Sequence, residues 1–182
     1  LTSASRVSEE IWTGSLRYVS FRVPRLHWCI GKYVGQAGQL FFALVVSAAA
    51  AWVTGWFRMD SFEPTASAQA MLIFSARAWF FAMAYLGLAT GISQMCGIPN
   101  LAMSLGFMAL VATSVLAELS RYLAGDGWRR LWDLAGMLLP GGYRMDLWWG
   151  DAAHLVPAMV FLLALGVGYL LIGYVSFSRR DL

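Results

Sequence analysis

The side chains that bind metals or act as nucleophiles are few and widely separated in this sequence. His27 and His154 are its two histidines, and Cys29 and Cys96 are its two cysteines. A bis-histidine haem needs both imidazoles on one iron, but the two histidines are expected on opposite faces of a bilayer whose apolar core is about 30 Å thick. No HExxH, CxxC or Walker A motif occurs. The sequence therefore predicts no metal, no cofactor and no catalytic residue of its own.

Arg77 is the one charged residue that falls in an apolar stretch. A span that starts near Ala70 would bury it, whereas a span over 78–97 would leave it at the interface. An intramembrane charge is costly and is therefore a functional candidate, and snorkelling to the interface is the alternative. Glu118 is the conceivable partner of Arg77, so the two residues form a possible intramembrane polar site.

The composition predicts the kind of protein in which these residues lie. Hydrophobic residues make up 59% of the 182 and charged residues 13%, about half the charged share of a soluble domain. The mean hydropathy is +0.62. Both values exclude an ordinary soluble domain and a disordered chain. The 15% of aromatic residues suits the belts found at membrane interfaces.

Four apolar stretches predict an all-α, polytopic membrane protein. Each is close to the length of about 20 residues that a membrane helix needs. They cover about residues 35–57, 70–92, 101–117 and 155–177. Pro157 is expected in the first turn of the last span, where proline is tolerated. Gly87 and Gly91 form a GxxxG motif that lets a neighbouring helix approach closely. Gly166 and Gly168 are expected to serve similarly in the last span.

The chain divides into an amphipathic segment, 1–34, and a transmembrane domain, 35–182. Four spans place both ends on one side, and lysine and arginine favour the cytoplasmic side. The basic residues on that side are Arg6, Arg17, Arg22, Arg25, Lys32, Arg179 and Arg180. Those on the opposite side are Arg58, Arg121, Arg129, Arg130 and Arg144. We therefore expect both termini in the cytoplasm and read the net charge of +3 as a topology signal rather than a nucleic-acid site.

The long loop 118–154 on the outer side contains a second amphipathic pattern. Its apolar residues at helical spacing are Trp128, Leu131, Trp132, Ala135, Leu138 and Leu139. This predicts an interfacial helix on the outer membrane surface. It is either a lid that packs the bundle or a gate for a substrate.

The amphipathic segment carries an apolar stripe of its own. Trp12, Leu16, Val19 and Val23 fall on one helical face. We expect Ser8 to cap this helix and Pro24 to end it. From periodicity alone, the helix either rests on lipid headgroups or docks a partner.

Two stretches carry motifs in a characteristic order. The first runs through Glu9-Glu10, Gly14-Ser15-Leu16, Pro24-Arg25 and Gly31-Lys32-Tyr33-Val34-Gly35 into the first span; the second is Phe177-Ser178-Arg179-Arg180-Asp181-Leu182. Together they resemble the exporter-type (type 2) permease family of ABC transporters. In that family an acidic pair, a Gly-Thr-Leu, a proline near an arginine and a Gly-Lys lie in the cytoplasmic loop before the third membrane helix. The last helix commonly ends in an aromatic residue, two arginines and an acid.

The sequence departs from the family pattern in three respects. Ser15 stands where threonine is usual, and Pro24 directly precedes Arg25. Such permeases usually have six spans, whereas four are visible here. On this resemblance the chain is expected to be the C-terminal two-thirds of a permease, without its first two membrane helices.

The resemblance implies a function without covalent chemistry. The segment Ser8–Pro24 would be the coupling helix that docks on a separate ATP-binding subunit, and ATP hydrolysis would move two permease halves. The implied contacts to the ATPase are Glu9, Glu10, Trp12, Leu16, Arg17, Arg22 and Arg25. The implied partners are that ATPase, a second permease copy or homologue, and the lipid bilayer of a bacterial inner membrane.

A second class also fits the composition. Four spans, many aromatic residues and no catalytic cluster are typical of a non-catalytic accessory subunit of a respiratory or photosynthetic complex. A neighbouring gene for a Walker A ATPase would favour the permease, and a haem or chlorin absorption band would favour the accessory subunit. A membrane enzyme is disfavoured because no nucleophile or metal set is visible.

Overall fold

The structure, a computed structural model, describes residues 2–15, 22–59, 61–122, 136–149 and 152–179. Every regular element in these ranges is helical, which confirms the predicted all-α fold. The α-helices, numbered in chain order, are α1 Thr2–Trp12, α2 Arg25–Arg58, α3 Pro64–Met95, α4 Pro99–Tyr122, α5 Arg144–Trp149 and α6 Ala152–Ser178. A 3₁₀ turn, Pro140–Tyr143, leads into α5.

Four of these helices, α2, α3, α4 and α6, are long and apolar enough to cross a membrane. The predicted set of four spans is therefore confirmed, and the chain is a multi-pass helical membrane protein. The helices are longer than the apolar stretches. With 34 residues, α2 is about 50 Å long at 1.5 Å per residue, whereas the bilayer core is about 30 Å thick. It runs without a break through residues 34 and 35.

Prolines mark where three of the long helices begin. Pro24 is extended, with ψ 136°, immediately before α2. Pro64 and Pro99 are the first residues of α3 and α4, where the missing N–H has no intrahelical partner to lose. Pro157 lies deeper than expected. Because α6 begins at Ala152, Pro157 is in its second turn, and the expectation of a first-turn proline is wrong.

Gly14 ends α1 and separates it from the segment that follows. Its φ of +71° is left-handed, which favours glycine after a helix. Its N–H donates to the Ile11 carbonyl at 3.2 Å. The expectation of one helix from Ser8 to Pro24 is therefore wrong, because α1 begins at Thr2 and ends at Trp12.

The buried face of α1 also differs from the predicted stripe. Ser8 is fully buried within the helix, where its hydroxyl donates to the Ser5 carbonyl, so it is not the N-cap. Val7 is buried beside it, whereas Trp12 is 68% exposed. Leu16 and Val19, the middle of the predicted stripe, lie outside the described residues.

Helix α3 is at the centre of the bundle and packs against α6, α2, α4 and α1. Its closest neighbour is α6. Gly87 and Gly91 of α3 face Gly166, Tyr169 and Gly173 of α6, with backbone against backbone. The predicted packing role of Gly87 and Gly91 therefore has a structural basis. Helices α2 and α4 expose long apolar faces, as expected of helices that contact lipid.

The start of α2 meets the end of α6. A guanidinium N–H of Arg25, at the start of α2, donates to the carbonyl of Ser178, at the end of α6, over 3.3 Å. Cys29 is buried against Phe177 one turn further in. We call this the Arg25 end of the bundle, and the opposite end, where α5 lies, the Trp148 end.

Candidate functional site

Helix α1 is fixed to the Arg25 end of the bundle by packing against α3 and α4. The backbone N–H of Ser8 donates to the Ser93 hydroxyl of α3 at 3.1 Å, and both serines are fully buried. Val7 is 1% exposed. This small, close-packed contact holds the helix across the ends of two membrane helices.

Ionic and aromatic contacts continue the attachment onto α2 and α6. The Lys32 ammonium donates to the Glu10 carboxylate and lies 5.7 Å from the centre of the Trp28 ring. Trp28 stacks on Phe177 at 6.0 Å, and the Arg25 guanidinium lies 5.9 Å from the Phe177 ring. Three helices therefore meet around Phe177, the last aromatic residue of α6.

The residues predicted to contact an ATPase fall into three groups in the structure. Glu9, Trp12 and Arg22 are exposed. Glu10 and Arg25 are engaged with the bundle through Lys32 and Ser178. Leu16 and Arg17 lie outside the described residues. Of the five described members of the predicted docking set, three are therefore exposed and two are engaged with the bundle.

Arg77 and Glu118, the possible polar site, take different partners at the Trp148 end. A guanidinium N–H of Arg77 donates to the Trp148 carbonyl at 3.2 Å. Glu118 lies 3.7 Å from the Arg144 guanidinium, and both side chains are about half exposed. Both partners belong to α5, so Arg77 reaches the level of the connection between α4 and α6. Helix α3 runs through both predicted registers. Arg77 is half-buried, and its Nε atom is buried without a hydrogen-bond partner among the described residues.

A cavity of about 450 Å³ opens beside the Glu118–Arg144 pair. It lies between α3, α4 and the 3₁₀ turn. Its lining residues are Phe81, Ala82, Tyr85, Leu110, Ser114, Glu118, Gly141 and Arg144. The sequence did not predict a cavity lined by Arg144, Tyr85 and Ser114, because no sequence pattern indicates which residues of separate helices share a cavity.

A second cavity, of about 420 Å³, lies between α2 and α3 and has almost entirely apolar walls. Trp52, Met71 and Ser75 are among the residues that line it. Such a groove between two membrane helices is suited to an acyl chain and provides no convergent polar groups.

Two buried glutamines were also missed. Both polar side-chain atoms of Gln36 in α2 lack a hydrogen-bond partner within the described ranges, as does Oε1 of Gln94 in α3. Gln94 is 1% exposed. A single polar residue in an apolar stretch is a signal that could have found both.

The candidate metal ligands remain apart. His27 lies in the first turn of α2 at the Arg25 end, and His154 lies in the first turn of α6 at the opposite end. Both cysteines are buried free thiols. Within the described ranges, no cluster of three or more histidine, cysteine or acidic side chains could hold a metal ion.

The fold and these contacts define a class, a helical multi-pass membrane protein whose short N-terminal helix is packed against the end of its bundle. In comparisons with known proteins, no family model matches the chain and no curated protein matches it. The resemblance to type 2 permeases accordingly rests on the motifs of the sequence alone.

Proposed function

We propose that this chain is a transmembrane permease subunit of an ABC transporter in a bacterial plasma membrane. A separate subunit would hydrolyse ATP, and the chain would couple that hydrolysis to export or to mechanical work. It would act with a second copy or a homologue. The ordered motifs from Glu9 to Lys32 and from Phe177 to Leu182 suggest this function.

The attachment of α1 is the observation that best supports the proposal. A force applied to the exposed Glu9 and Trp12 would pass through the buried Val7 and Ser8 into α3 and α4. A rigid connection of this kind is needed by any subunit that transmits movement from a partner into the membrane. A loosely tethered helix would dissipate that movement.

The proposal places the Arg25 end in the cytoplasm. Arg6, Arg22, Arg25, Lys32 and Arg179 all belong to segments at or near that end. An excess of lysine and arginine is typical of cytoplasmic segments. The same end is then available to a cytoplasmic ATPase.

Co-purification with a Walker A ATPase encoded by a neighbouring gene tests the proposal. We expect the unaltered chain to retain the ATPase in detergent and to change its rate of ATP hydrolysis. Combining Glu9→Lys, Trp12→Ala and Arg22→Glu should weaken the association about tenfold or more, because aromatic anchors and charges dominate such contacts. Arg25→Glu is a poorer probe, because Arg25 also contacts Ser178 and Phe177.

Arg58→Glu is the matched control, because Arg58 is an exposed arginine at the other end of α2. It should leave the association unchanged. Equal ATPase retention by the triple variant and the unaltered chain would overturn the docking assignment. A haem or chlorin absorption band in the purified assembly, with no ATPase present, would instead indicate an accessory subunit of a respiratory or photosynthetic complex.

A further inference from the structure

We propose that the cavity beside Glu118 and Arg144 is a binding site for a zwitterionic phospholipid, with the headgroup at the ion pair and an acyl chain between α3 and α4. The site is independent of the ATPase contact, because it lies at the opposite end of the bundle. The residues of this site have no role in the proposed function, and the ligand class proposed for them is the zwitterionic phospholipids.

The shape of the cavity suits a lipid that enters from the bilayer. Its α4 wall extends from Glu118 to Leu110, eight residues or about 12 Å along the helix axis. Its volume of about 450 Å³ is within the range of small-molecule sites, about 300–1,000 Å³. Both α3 and α4 are membrane spans, so the deep part of the cavity lies among acyl chains.

The deep wall is mainly apolar, and its polar groups are the Tyr85 phenol and the Ser114 hydroxyl. Phe81 and Tyr85 of α3 pack edge to face at 5.2 Å and form one continuous aromatic surface. The Ser114 hydroxyl of α4 donates to the Leu110 carbonyl at 2.8 Å, so its proton is already used within the helix. An acyl chain therefore fits this wall better than a polar solute, which would lose its hydrogen bonds to water.

Among the described residues that line the cavity, the mouth carries one charge of each sign. Glu118 and Arg144 are 3.7 Å apart, with 49% and 63% of their side chains exposed. An ion pair this exposed contributes little to stability, so it can separate at low cost. The guanidinium can then bind a phosphate through two hydrogen bonds, and the carboxylate can accept hydrogen bonds from a primary ammonium.

This pair of charges selects among lipids. A phosphatidylethanolamine carries a phosphate and an ammonium in one headgroup and matches both residues. A phosphatidylglycerol offers a phosphate only and places its negative charge near the Glu118 carboxylate. We therefore expect the zwitterionic lipid to bind more tightly than the anionic one.

Native mass spectrometry of the assembly, purified in detergent and supplied with one lipid at a time, tests the site. The unaltered protein should retain phosphatidylethanolamine at a concentration at which phosphatidylglycerol is largely lost. Arg144→Gln should weaken binding of both lipids about tenfold, because it removes a charge-assisted contact to phosphate. Glu118→Gln should reduce the preference for phosphatidylethanolamine over phosphatidylglycerol.

Ser114→Trp provides a test that leaves both charges in place, because the indole would fill the cavity between Leu110 and Glu118. It should reduce retention of phosphatidylethanolamine. Glu63→Gln, at an exposed carboxylate before α3, is the matched control and should bind as the unaltered protein does.

Equal retention of the two lipids, or retention that none of the three cavity variants changes, would overturn the proposal. Loss of ATPase association would leave this result untouched, so the two proposals fail separately.

Discussion

Gly87 of α3 and Gly166 of α6 lie so close that a β-carbon on Gly87 would overlap the backbone carbonyl of Gly166. Two further contacts repeat this arrangement along the same interface, at Gly91 and at Gly173. Within a bilayer, helices gain little from burying apolar side chains, because lipid is equally apolar. Close backbone packing through glycine therefore contributes to holding α3 and α6 together.

Gly87→Ala should destabilise the bundle. The added methyl group meets backbone atoms, which cannot rotate away as a side chain can. Overpacking of this kind costs about 1–3 kcal/mol. We expect a lower midpoint of thermal unfolding in detergent, measured by circular dichroism.

Gly168→Ala is the matched control, because a β-carbon at this position of α6 would lie more than 4 Å from every described atom outside its own stretch of helix. It should leave the midpoint unchanged or raise it slightly, since alanine favours helix over glycine. If the two variants melted alike, α3 and α6 would not be packed through Gly87.

The sequence predicted three of the glycines at this interface, Gly87, Gly91 and Gly166. It also predicted Gly168, but Gly173 packs against α3 in its place. Gly87 and Gly91 were found because a spacing of four places them on one helical face. Gly166 and Gly173 lie seven residues apart and share one face of α6, whereas Gly168 lies on another face. Neither the partner helix nor the register of the crossing is encoded in a local pattern. Hydropathy likewise identified all four spans but not the helix ends. Prolines and glycines set those ends, and they need not coincide with the ends of an apolar stretch.

Val7→Asp should release α1 from the bundle. Val7 is almost completely buried against α3 and α4, and a carboxylate there would have to lose its hydration without gaining a partner. We expect faster hydrogen exchange of the α1 amides, measured by mass spectrometry, while exchange in α3 and α6 stays slow.

Arg6→Asp places the same side chain one residue earlier, at an exposed position. It should leave exchange in α1 slow. Rapid exchange of α1 in the unaltered protein would contradict the attachment through Val7 and Ser8, and with it the route by which α1 could transmit movement.

Periodicity misplaced α1 for a physical reason. The stripe from Trp12 to Val23 was read as a single helix, but Gly14 adopts a left-handed conformation and ends the helix two residues after Trp12. The buried face of α1 instead includes Ser5 and Ser8, which a hydrophobicity pattern counts as exposed. Small polar residues pack well where two helices meet closely, because they bury little surface and bond to nearby hydroxyls.

Arg77→Gln should weaken the attachment of α5 to α3. The guanidinium donates to the Trp148 carbonyl, and a hydrogen bond from a charged group contributes about 1.5–3 kcal/mol. We expect a lower unfolding midpoint and a change in tryptophan emission, because Trp148 also stacks on Phe74 of α3 at 5.8 Å. Arg58→Gln removes an exposed arginine and should change neither property. Unchanged emission from Arg77→Gln would show that Arg77 does not hold α5.

Tyr143, in the turn before α5, should titrate at higher pH than an ordinary tyrosine. Burial raises the pKa of its phenol above 10.0, and the nearby Asp146 carboxylate raises it further. The unfolded chain then loses this proton before the folded one does. The contribution of Tyr143 to stability is therefore complete below about pH 10 and is lost as the pH rises through the folded pKa.

The difference in tyrosinate absorbance between the unaltered protein and Tyr143→Phe measures this titration. Asp146→Asn should lower the pKa only partway towards 10, because burial is the larger cause; a return to the ordinary value would show that the charge of Asp146 dominates instead.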